Sequence, residues 1–401
     1  MVTRGPAVIV VGGGPSGLAA AAALVQKGED VVVLERQKSI QGGWCQHFDG
    51  LTITTRASTC GLPDFPVKLF TCNDELKGTE YVDYLVAYAA RFALDVRCNM
   101  EVVQIKEHGG RWMVSVRHPD GQATLTCDEL VVATGKNAIP RMPRCYDRLD
   151  LQTAPIIHSS QLQGHRFQQA VSAAAGQLLV VGFGNSAADI CSLILRQAPS
   201  GSVHVSMRRL PPIVRRQWGP FRLEWFAKLF SLACDKNGDR LTHWLMYMIE
   251  GDMQKLFPDL DTWGARKERH IPTVDRDGSL LRHVREERIV PHQDIEKIEL
   301  CKHSEDPSET KVEVKFAGES DVHSFDFVIL CTGYESSLEA QSCLSTAEVL
   351  GRAHFVGLGP EPKDLLPLVG IGREARTVAT QISDLLHLKR RRDRCRQPGS
   401  A

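Results

Sequence analysis

The chain lacks any charge imbalance: lysine plus arginine and aspartate plus glutamate number 48 each in 401 residues. A net charge of zero gives no global attraction to nucleic acid, and no such partner is expected. The 12 cysteines include no C-x-x-C pair and no even framework spacing. That excludes a disulfide scaffold and suits reduced thiols in a cytoplasmic protein. No apolar run approaches the ~20 residues of a membrane span. Met1 leads straight into an apolar strand, which leaves no room for a signal peptide, so a soluble protein is expected. No Ser-His-Asp set and no metal site is read from the sequence. The length suffices for two domains of ordinary size.

What is present is a strand–turn–helix–strand unit over residues 7–35. A buried strand, Ala7 to Val11, precedes Gly12-Gly-Gly14-Pro15-Ser16-Gly17, a helix follows from Pro15 to Lys27, and Val31 to Leu34 forms a second strand. Gly12, Gly14 and Gly17 fit G-x-G-x-x-G. The first allows a tight turn, the second admits a pyrophosphate to the backbone, and the third lets helix and strand pack closely. Glu35 ends the second strand, where a carboxylate can accept from both ribose hydroxyls. With strand, helix and acid all in place, the segment reads as a dinucleotide site rather than a structural glycine turn.

Next come Gly42-Gly43-Trp44, which read either as a close approach to a flat ligand or as a loop beside a core indole. Leu51 to Thr55 reads as a strand and Cys60 to Pro66 as a proline-restricted loop. Thr79 to Phe92 carries aromatics at helical spacing that suit a core. Val96 to Ile105, Trp112 to Val116 and Ala123 to Thr126 read as a meander, and Glu129 to Ala133 as a strand ending in Thr134-Gly135.

A second unit repeats the first. Gln177 to Val181 leads into Gly182-Phe-Gly184-Asn185-Ser186-Ala187, a helix over Asn185 to Gln197 and a strand over Ser202 to Ser206. That strand ends in Met207-Arg208-Arg209, where the first unit has Glu35. Arginines there suit a 2′-phosphate, although a solvated basic loop is the alternative, since Arg215 and Arg216 follow. An acid-type site and a phosphate-type site on one chain make FAD and NADPH the natural pair of cofactors.

Residues 220 to 257 read as core helices, with a hydrophobic substrate wall as the alternative. Strands are expected at Arg288 to Val290, Ile295 to Leu300 and Lys311 to Phe316. Phe325 to Leu330 then runs into Cys331-Thr332-Gly333-Tyr334, the same ending as Ala133 to Gly135. The chain is expected to cross between two domains at these two endings. A last helix, Arg373 to Leu388, precedes the basic run 389–396, which reads as a solvated end. The expected fold is α/β, with two Rossmann-like domains. An FAD domain over 1–150 resumes at 325–390, an NADPH domain is inserted at 151–324, and a basic tail occupies 391–401.

The order of these pieces resembles the class B flavin-dependent monooxygenases, and particularly the plant auxin-forming branch of the flavin-containing monooxygenases. The likeness rests on the first glycine loop, Gly43-Trp44, Cys60-Gly-Leu-Pro63, Tyr84-Leu85 and Ala133-Thr-Gly-Lys-Asn137. Val181-Gly-Phe-Gly-Asn-Ser186, Pro272-Thr-Val-Asp275 and Cys331-Thr-Gly-Tyr334 extend it. Two departures stand out. The family's F-x-G-x-x-x-H fingerprint keeps only His158. Thr54 and Thr55 stand where many members carry an Asn, a residue that the auxin-forming branch also lacks.

The resemblance implies hydride transfer from NADPH to FAD, a flavin 4a-hydroperoxide shielded by retained NADP⁺, and delivery of one oxygen atom to a small substrate. Amine, sulfide, ketone and 2-oxo acid substrates all stay open. It also implies that Val103, Thr134, Gly135, Thr332 and Gly333 line the nucleotides. Thr54, Thr55, His158 and Asn185 would stand nearest the chemistry, His158 as a positioning or structural residue rather than a base. A flavin disulfide reductase is the rival enzyme, but Cys45, Cys60 and Cys72 do not make its paired motif. A degenerate nucleotide-binding homologue or a plain NADPH oxidase is the other.

Overall fold

The computed structural model of the chain describes residues 5–40, 42–45, 47–69, 75–137, 139–143, 146, 149–150, 154–211, 213–218, 221–222, 273–276, 278–302, 310–335, 343, 346–358 and 367–396. The chain divides into two compact units. The first comprises residues 1–45, 55–139 and 334–401, and the second residues 46–54 and 140–333. The first unit is discontinuous, and the second is inserted into it.

In the first unit the apolar runs β1 (Val8–Val11), β2 (Val31–Leu34) and β7 (Glu129–Val132) are buried at every position. Continuous burial requires cover on both faces, the condition under which parallel sheets form. α1 (Pro15–Gln26) connects β1 to β2, and α2 (Gly78–Arg91) leads to β3 (Asp95–Arg97). The sheet order is His354–Phe355, β7, β1, β2, β3, all parallel. One face is covered by the antiparallel meander β4 (Glu101–His108), β5 (Arg111–His118) and β6 (Gly121–Cys127). Trp112, Val114 and Val116 of that meander share a core with Ile9, Val11 and Val32 of the sheet. Buried Ala19 to Ala23 let α1 lie close to the C-terminal helix Pro367–Arg396.

The second unit repeats this plan. Its strands are β8 (Ile156–His158), β9 (Ala175–Val181), β10 (Ser202–Ser206), β13 (Ile289–His292) and β17 (Phe327–Leu330), with α3 (His165–Ala173), α4 (Asn185–Gln197) and α5 (Ser279–Arg285) between them. A short parallel pair, β11 (Ile213–Arg215) and β12 (Thr273–Asp275), stands beside this sheet. The main sheet runs β13, β10, β9, β17, β8, all parallel. Phe167, Ile190 and Ile194 of the helices share a core with Val203, Val205 and Ile329 of the sheet. Val312, Val314 and Phe325 share another with Leu179, Val328 and Leu330 on the opposite face. They belong to the antiparallel meander β14 (Ile295–Lys302), β15 (Thr310–Phe316) and β16 (Val322–Phe325).

Five sequence expectations are corrected. Residues 325–330, expected to start the return to the first domain, belong to the second: β17 pairs with β9 and β8, and the chain leaves only after Gly333. Apart from the short excursion 46–54, the chain enters the second unit after Ile139, close to the Ala133-Thr-Gly ending and not at 150. Residues 51–55, expected as a strand, are irregular and end a segment, 46–54, that belongs to the second unit. Asp49 anchors that segment, its amide donating to the Leu162 carbonyl at 3.1 Å and its carboxylate accepting from the Gly164 amide at 2.6 Å. The strand expected over Val96 to Ile105 is two, because Asn99 turns at φ +55° and lets Met100 return to the Glu35 carbonyl. The helical stretch expected at 220–257 lies outside the described residues, apart from Phe221 and Arg222.

The basic tail is the fifth correction. The last helix continues to Arg396, and its first basic residues are used. Arg390 pairs with the buried Glu29, which also accepts from Ser383 Oγ at 2.9 Å. Lys389 pairs with the buried Glu129, near His354 Nε2 at 3.5 Å. Burial alone would raise Glu129, yet His354 and Lys389 hold it below the usual carboxylate range. Its contribution to stability is therefore present at neutral pH and lost as pH falls through that depressed value. Lys389→Ala and Arg390→Ala each leave a buried carboxylate short of a partner and should each cost about 1–3 kcal/mol. Thermal melts at pH 7 check this, and unchanged midpoints would return the segment to a solvated end.

Candidate functional site

The first cradle forms where β1 stops. The Gly12 amide donates to the Leu34 carbonyl at 2.8 Å, and Gly12 turns at φ +108°. A Cβ there would stand 2.5 Å from the Ala133 carbonyl oxygen and 3.2 Å from Thr134 Cα. The strand end Ala133-Thr134-Gly135 therefore presses on the glycine turn, with Gly135 at φ +78°. Gly17 is as tightly placed: its Cβ would lie 1.8 Å from the Gly12 carbonyl oxygen. α1 then begins with Gly14 as its N-cap, no side-chain cap, Pro15 in its first turn and no acid there. Its first N–H groups are left for an anion, as a pyrophosphate requires.

Glu35 lies beside this opening, buried. Its carboxylate accepts from the Gly13 amide at 2.7 Å and from the Gln37 amide at 2.8 Å. Both oxygens keep lone pairs toward which ribose hydroxyls can donate. Ser16 Oγ faces Gly357, where a Cβ would come within 2.2 Å of it. The Gly357 amide donates to Glu374 at 2.8 Å. Gly13, Gly357 and Glu374 were not singled out from sequence, although Phe355-Val-Gly357 is a third apolar run ending in glycine.

The second cradle copies the first almost atom for atom. The Gly182 amide donates to the Ser206 carbonyl at 2.8 Å, Gly182 turns at φ +96°, and its Cβ would stand 2.5 Å from the Cys331 carbonyl oxygen. Gly333 follows at φ +79°, as Gly135 does in the first unit. The N-cap residues Gly14 and Gly184 have φ, ψ of −81°, −175° and −82°, −172°. Ser206 thus corresponds to Leu34, and Met207 to Glu35. Glu35 donates its amide to Arg97, and Met207 donates its own to His292. Arg208 and Arg209 stand exposed immediately beyond, at the strand end.

Side chains buttress this second loop. Asn185 Oδ1 accepts from the Val274 amide at 2.8 Å, and Thr273 Oγ1 donates to the Phe183 carbonyl at 2.8 Å. Asn185 opens α4 beside Ser186, and its amide group keeps two N–H donors. His158 is buried, with Nε2 3.0 Å from the Gly333 carbonyl and Nδ1 accepting from the Ser160 amide at 3.2 Å. Burial holds it below the usual imidazole pKa, against the opposing Gly333 bond. A neutral ring with Nε2–H donating and Nδ1 accepting satisfies this geometry. His47 is held down to about 4 by burial and by the nearby His158. Thr332 Oγ1 donates to the Arg141 carbonyl at 2.6 Å.

The other sequence-derived positions have local partners. Gly43 and Trp44 lie in a single helical turn, and the Trp44 ring meets the edge of Tyr81 at 4.9 Å. The Tyr81, Tyr84 and Phe65 rings continue that stack. Burial pushes the Tyr84 phenol up to about 12, so it stays protonated and donates to the Phe65 carbonyl at 2.6 Å. Thr54 closes the segment belonging to the second unit and Thr55 reopens the first. Thr55 Oγ1 lies 3.3 Å from Cys60 Sγ. Val103 sits at a bulge of β4.

The sequence profile described as pyridine nucleotide-disulphide oxidoreductase matches residues 9–212, a stretch holding both glycine loops. The probable indole-3-pyruvate monooxygenase YUCCA8 of Arabidopsis thaliana is 29% identical over 347 residues, 82% of this chain and 75% of that protein. The indole-3-pyruvate monooxygenase YUCCA6 of the same plant is 31% identical over 237 residues, 56% of this chain. There the chain spans about half the relative's length, 54%. Among solved structures, an ornithine N-hydroxylase of Kutzneria sp. 744 with reduced FAD, NADP⁺ and L-ornithine aligns with a TM-score of 0.65 at 17% identity. That alignment covers 95% of this chain and 99% of that one. At such identity the likeness is one of fold. Together these bear out the resemblance to class B flavin monooxygenases and the FAD and NADPH pair.

The two glycines of the second loop should separate under substitution. Gly184 has open space where a Cβ would be placed and ordinary φ, so Gly184→Val should fold and keep its flavin. Its side chain would stand in the pyrophosphate's path and raise the KM for NADPH more than roughly tenfold, ~1.4 kcal/mol. Gly182→Ala instead meets a carbonyl and a strained φ, and should lower stability by about 1–3 kcal/mol. Steady-state kinetics and thermal melts check the pair.

Proposed function

This chain belongs to the pyridine nucleotide-disulphide oxidoreductase family, and we propose that it is an FAD- and NADPH-dependent monooxygenase using O2 on a small organic substrate. The observation that carries this reading is the matched pair of cradles with opposite chemistry at the second strand end: a buried carboxylate, Glu35, in one and Met207-Arg208-Arg209 in the other. The first suits FAD and the second the 2′-phosphate of NADPH. When bound, the two cofactors supply the hydride transfer and oxygen activation, and the protein supplies binding and orientation. The activity of the indole-3-pyruvate monooxygenase relatives supports a 2-oxo acid of the indole-3-pyruvate kind as the substrate class. A cytoplasmic location, read from the scattered thiols, belongs to the same proposal.

The residues act as follows. Gly12 to Ser16 and the start of α1 take the FAD pyrophosphate, and Glu35 takes its ribose. Gly182 to Ser186 take the NADPH pyrophosphate, with Asn185 fixed by Val274. His158 holds Gly333, and so keeps the Thr332–Gly333 return beside the loop. Thiol chemistry finds no support in the described residues. Cys60 is buried and hydrogen-bonded to the Arg56 carbonyl at 3.2 Å, and burial pushes Cys127 and Cys191 up to about 12.

Replacing Arg208 and Arg209 with serine should raise the KM for NADPH by one to two orders of magnitude, on the order of 1.5–3 kcal/mol of charge-assisted contacts. NADH should change little, and an equal loss for both coenzymes would make these arginines structural. The oxygenase reading itself is tested with NADPH, indole-3-pyruvate and ¹⁸O2. One labelled oxygen atom should enter the product for each NADPH consumed. If every reducing equivalent emerges as hydrogen peroxide, the protein is an NADPH oxidase.

A further inference from the structure

Four polar rings and chains close one edge of the core between the second unit's parallel sheet and its meander, and neither cradle uses them. His292 ends β13, Glu319 sits in the turn before β16, and His323 lies within β16. His292 Nδ1 is 2.7 Å from Glu319 Oε1, and His323 Nε2 is 2.8 Å from Glu319 Oε2. Ligand atoms of the three all fall within 4.8 Å of one another. Behind them, His204 of β10 places Nδ1 2.7 Å from the far nitrogen of His292. The His292 ring is fixed between His204 and Phe316, stacked at 5.0 Å and 4.0 Å.

We propose that His292, Glu319 and His323 bind a divalent transition-metal ion of the zinc class. Two imidazoles and one carboxylate, drawn from three separate elements, form a borderline donor set that suits zinc, cobalt or nickel better than the all-oxygen ions magnesium and calcium. Zinc–ligand distances of about 2.0–2.1 Å in a tetrahedron put ligands roughly 3.4 Å apart. The contacts of 2.7 and 2.8 Å, made to the two different Glu319 oxygens, would open by roughly 0.6–0.7 Å, and with one atom from each residue the widest ligand pair closes from within 4.8 Å. With His292 Nδ1 on the ion, its proton passes to Nε2, which donates to His204 Nδ1. That is the outer hydrogen bond that orients a metal-bound imidazole. His204 keeps the proton on its own Nε2, and His323 carries its proton on Nδ1. The neutral rings change tautomer and no net proton is lost.

The site is reachable, because the Glu319 and His323 side chains are 32% and 30% exposed whereas His292 is only 6% exposed. Water can complete the coordination from that side. The ion would staple the edge strand β13 to the turn and to β16. Since Met207 donates its amide to the His292 carbonyl, the staple sits at the strand ends that carry Arg208 and Arg209.

The full-length flavoprotein, stripped by chelator and dialysed against micromolar zinc chloride, should retain one zinc equivalent that Glu319→Gln and His323→Asn each lose, with affinity at least tenfold weaker. His108→Asn, on an exposed strand position of the other unit, should retain it. Both test residues are partly exposed, so flavin content and far-ultraviolet dichroism should match the parent protein. Zinc should also raise the melting temperature of the parent and of His108→Asn but of neither test variant. If the parent retains no more zinc than the Glu319→Gln, His323→Asn double variant, the four residues are a hydrogen-bonded network and the metal site is wrong.

Discussion

The structure depends on a glycine in each unit that has a carbonyl oxygen where its side chain would be. At Gly12 that oxygen belongs to Ala133, at Gly182 to Cys331, and in both the separation from an added Cβ would be 2.5 Å. Positive φ lets the chain leave the strand and turn back into a helix within two residues, and the missing Cβ lets the neighbouring strand end close over the turn. Everything needed to receive a pyrophosphate follows from that compression. The helix starts directly under the strand ends, its first amides uncapped, and the adjacent Thr-Gly return is fixed alongside. A larger residue at either glycine changes the backbone before it touches any ligand. Gly184 differs, with open space where its side chain would stand.

Much of this was legible because it is written in short-range pattern. Val8 to Val11 and Val31 to Leu34 are continuous apolar runs, the glycines have fixed offsets, and the Ala-Thr-Gly and Cys-Thr-Gly endings repeat. Legibility failed where long-range or single-residue chemistry decides. Asp49 ties residues 46–54 to Gly164, 115 positions away, through one carboxylate, and no periodicity announces that bond. Asn99 splits a strand by adopting φ +55°. The basic run at the end read as solvated because its partners, Glu29 and Glu129, are 361 and 260 residues distant. The imidazole cluster joins positions 204, 292, 319 and 323, which share no spacing motif. His158 reads from sequence as either a positioning or a structural residue, and its contacts to the Gly333 carbonyl and the Ser160 amide join positions 175 and 2 residues away.

Among the described residues, the polar groups beside the second loop serve structure, and that is intelligible in the same terms. A chain whose cofactors carry the electrons needs side chains that hold geometry, and the second unit's polar groups around its loop do that. Asn185 takes an amide of β12, Thr273 returns a hydroxyl to the loop, and Asp275 accepts from the Leu280 and Leu281 amides at the start of α5. The Arg276–Asp189 pair, with 13% of each side chain exposed, ties the same strand to α4. Each bond immobilises backbone next to the expected pyrophosphate, which is how positioning lowers a barrier without a reactive group.

The two cradles differ at a coupled pair of positions, and that coupling argues for specialisation rather than decay. In the first, a Cβ on Gly13 would crowd the Glu35 side chain at 3.0 Å, and its amide reaches the Glu35 carboxylate at 2.7 Å. In the second, the equivalent positions are Phe183 and Met207, both buried in one apolar core. Removing the carboxylate lifts the need for glycine, and an apolar side chain then fills the space. A degenerating site would lose the acid and leave a gap or a strained loop. Here the loop dihedrals are kept to within a few degrees and the lost polar bond is replaced by packing. Arg36 follows Glu35 as Arg208 follows Met207, so an arginine beyond the strand does not by itself distinguish the sites. The distinguishing change is the loss of a buried negative charge that would repel a 2′-phosphate a few ångströms away. The proposed pairing of Arg208 and Arg209 with that phosphate rests on the apolar Met207 standing where the first cradle has Glu35.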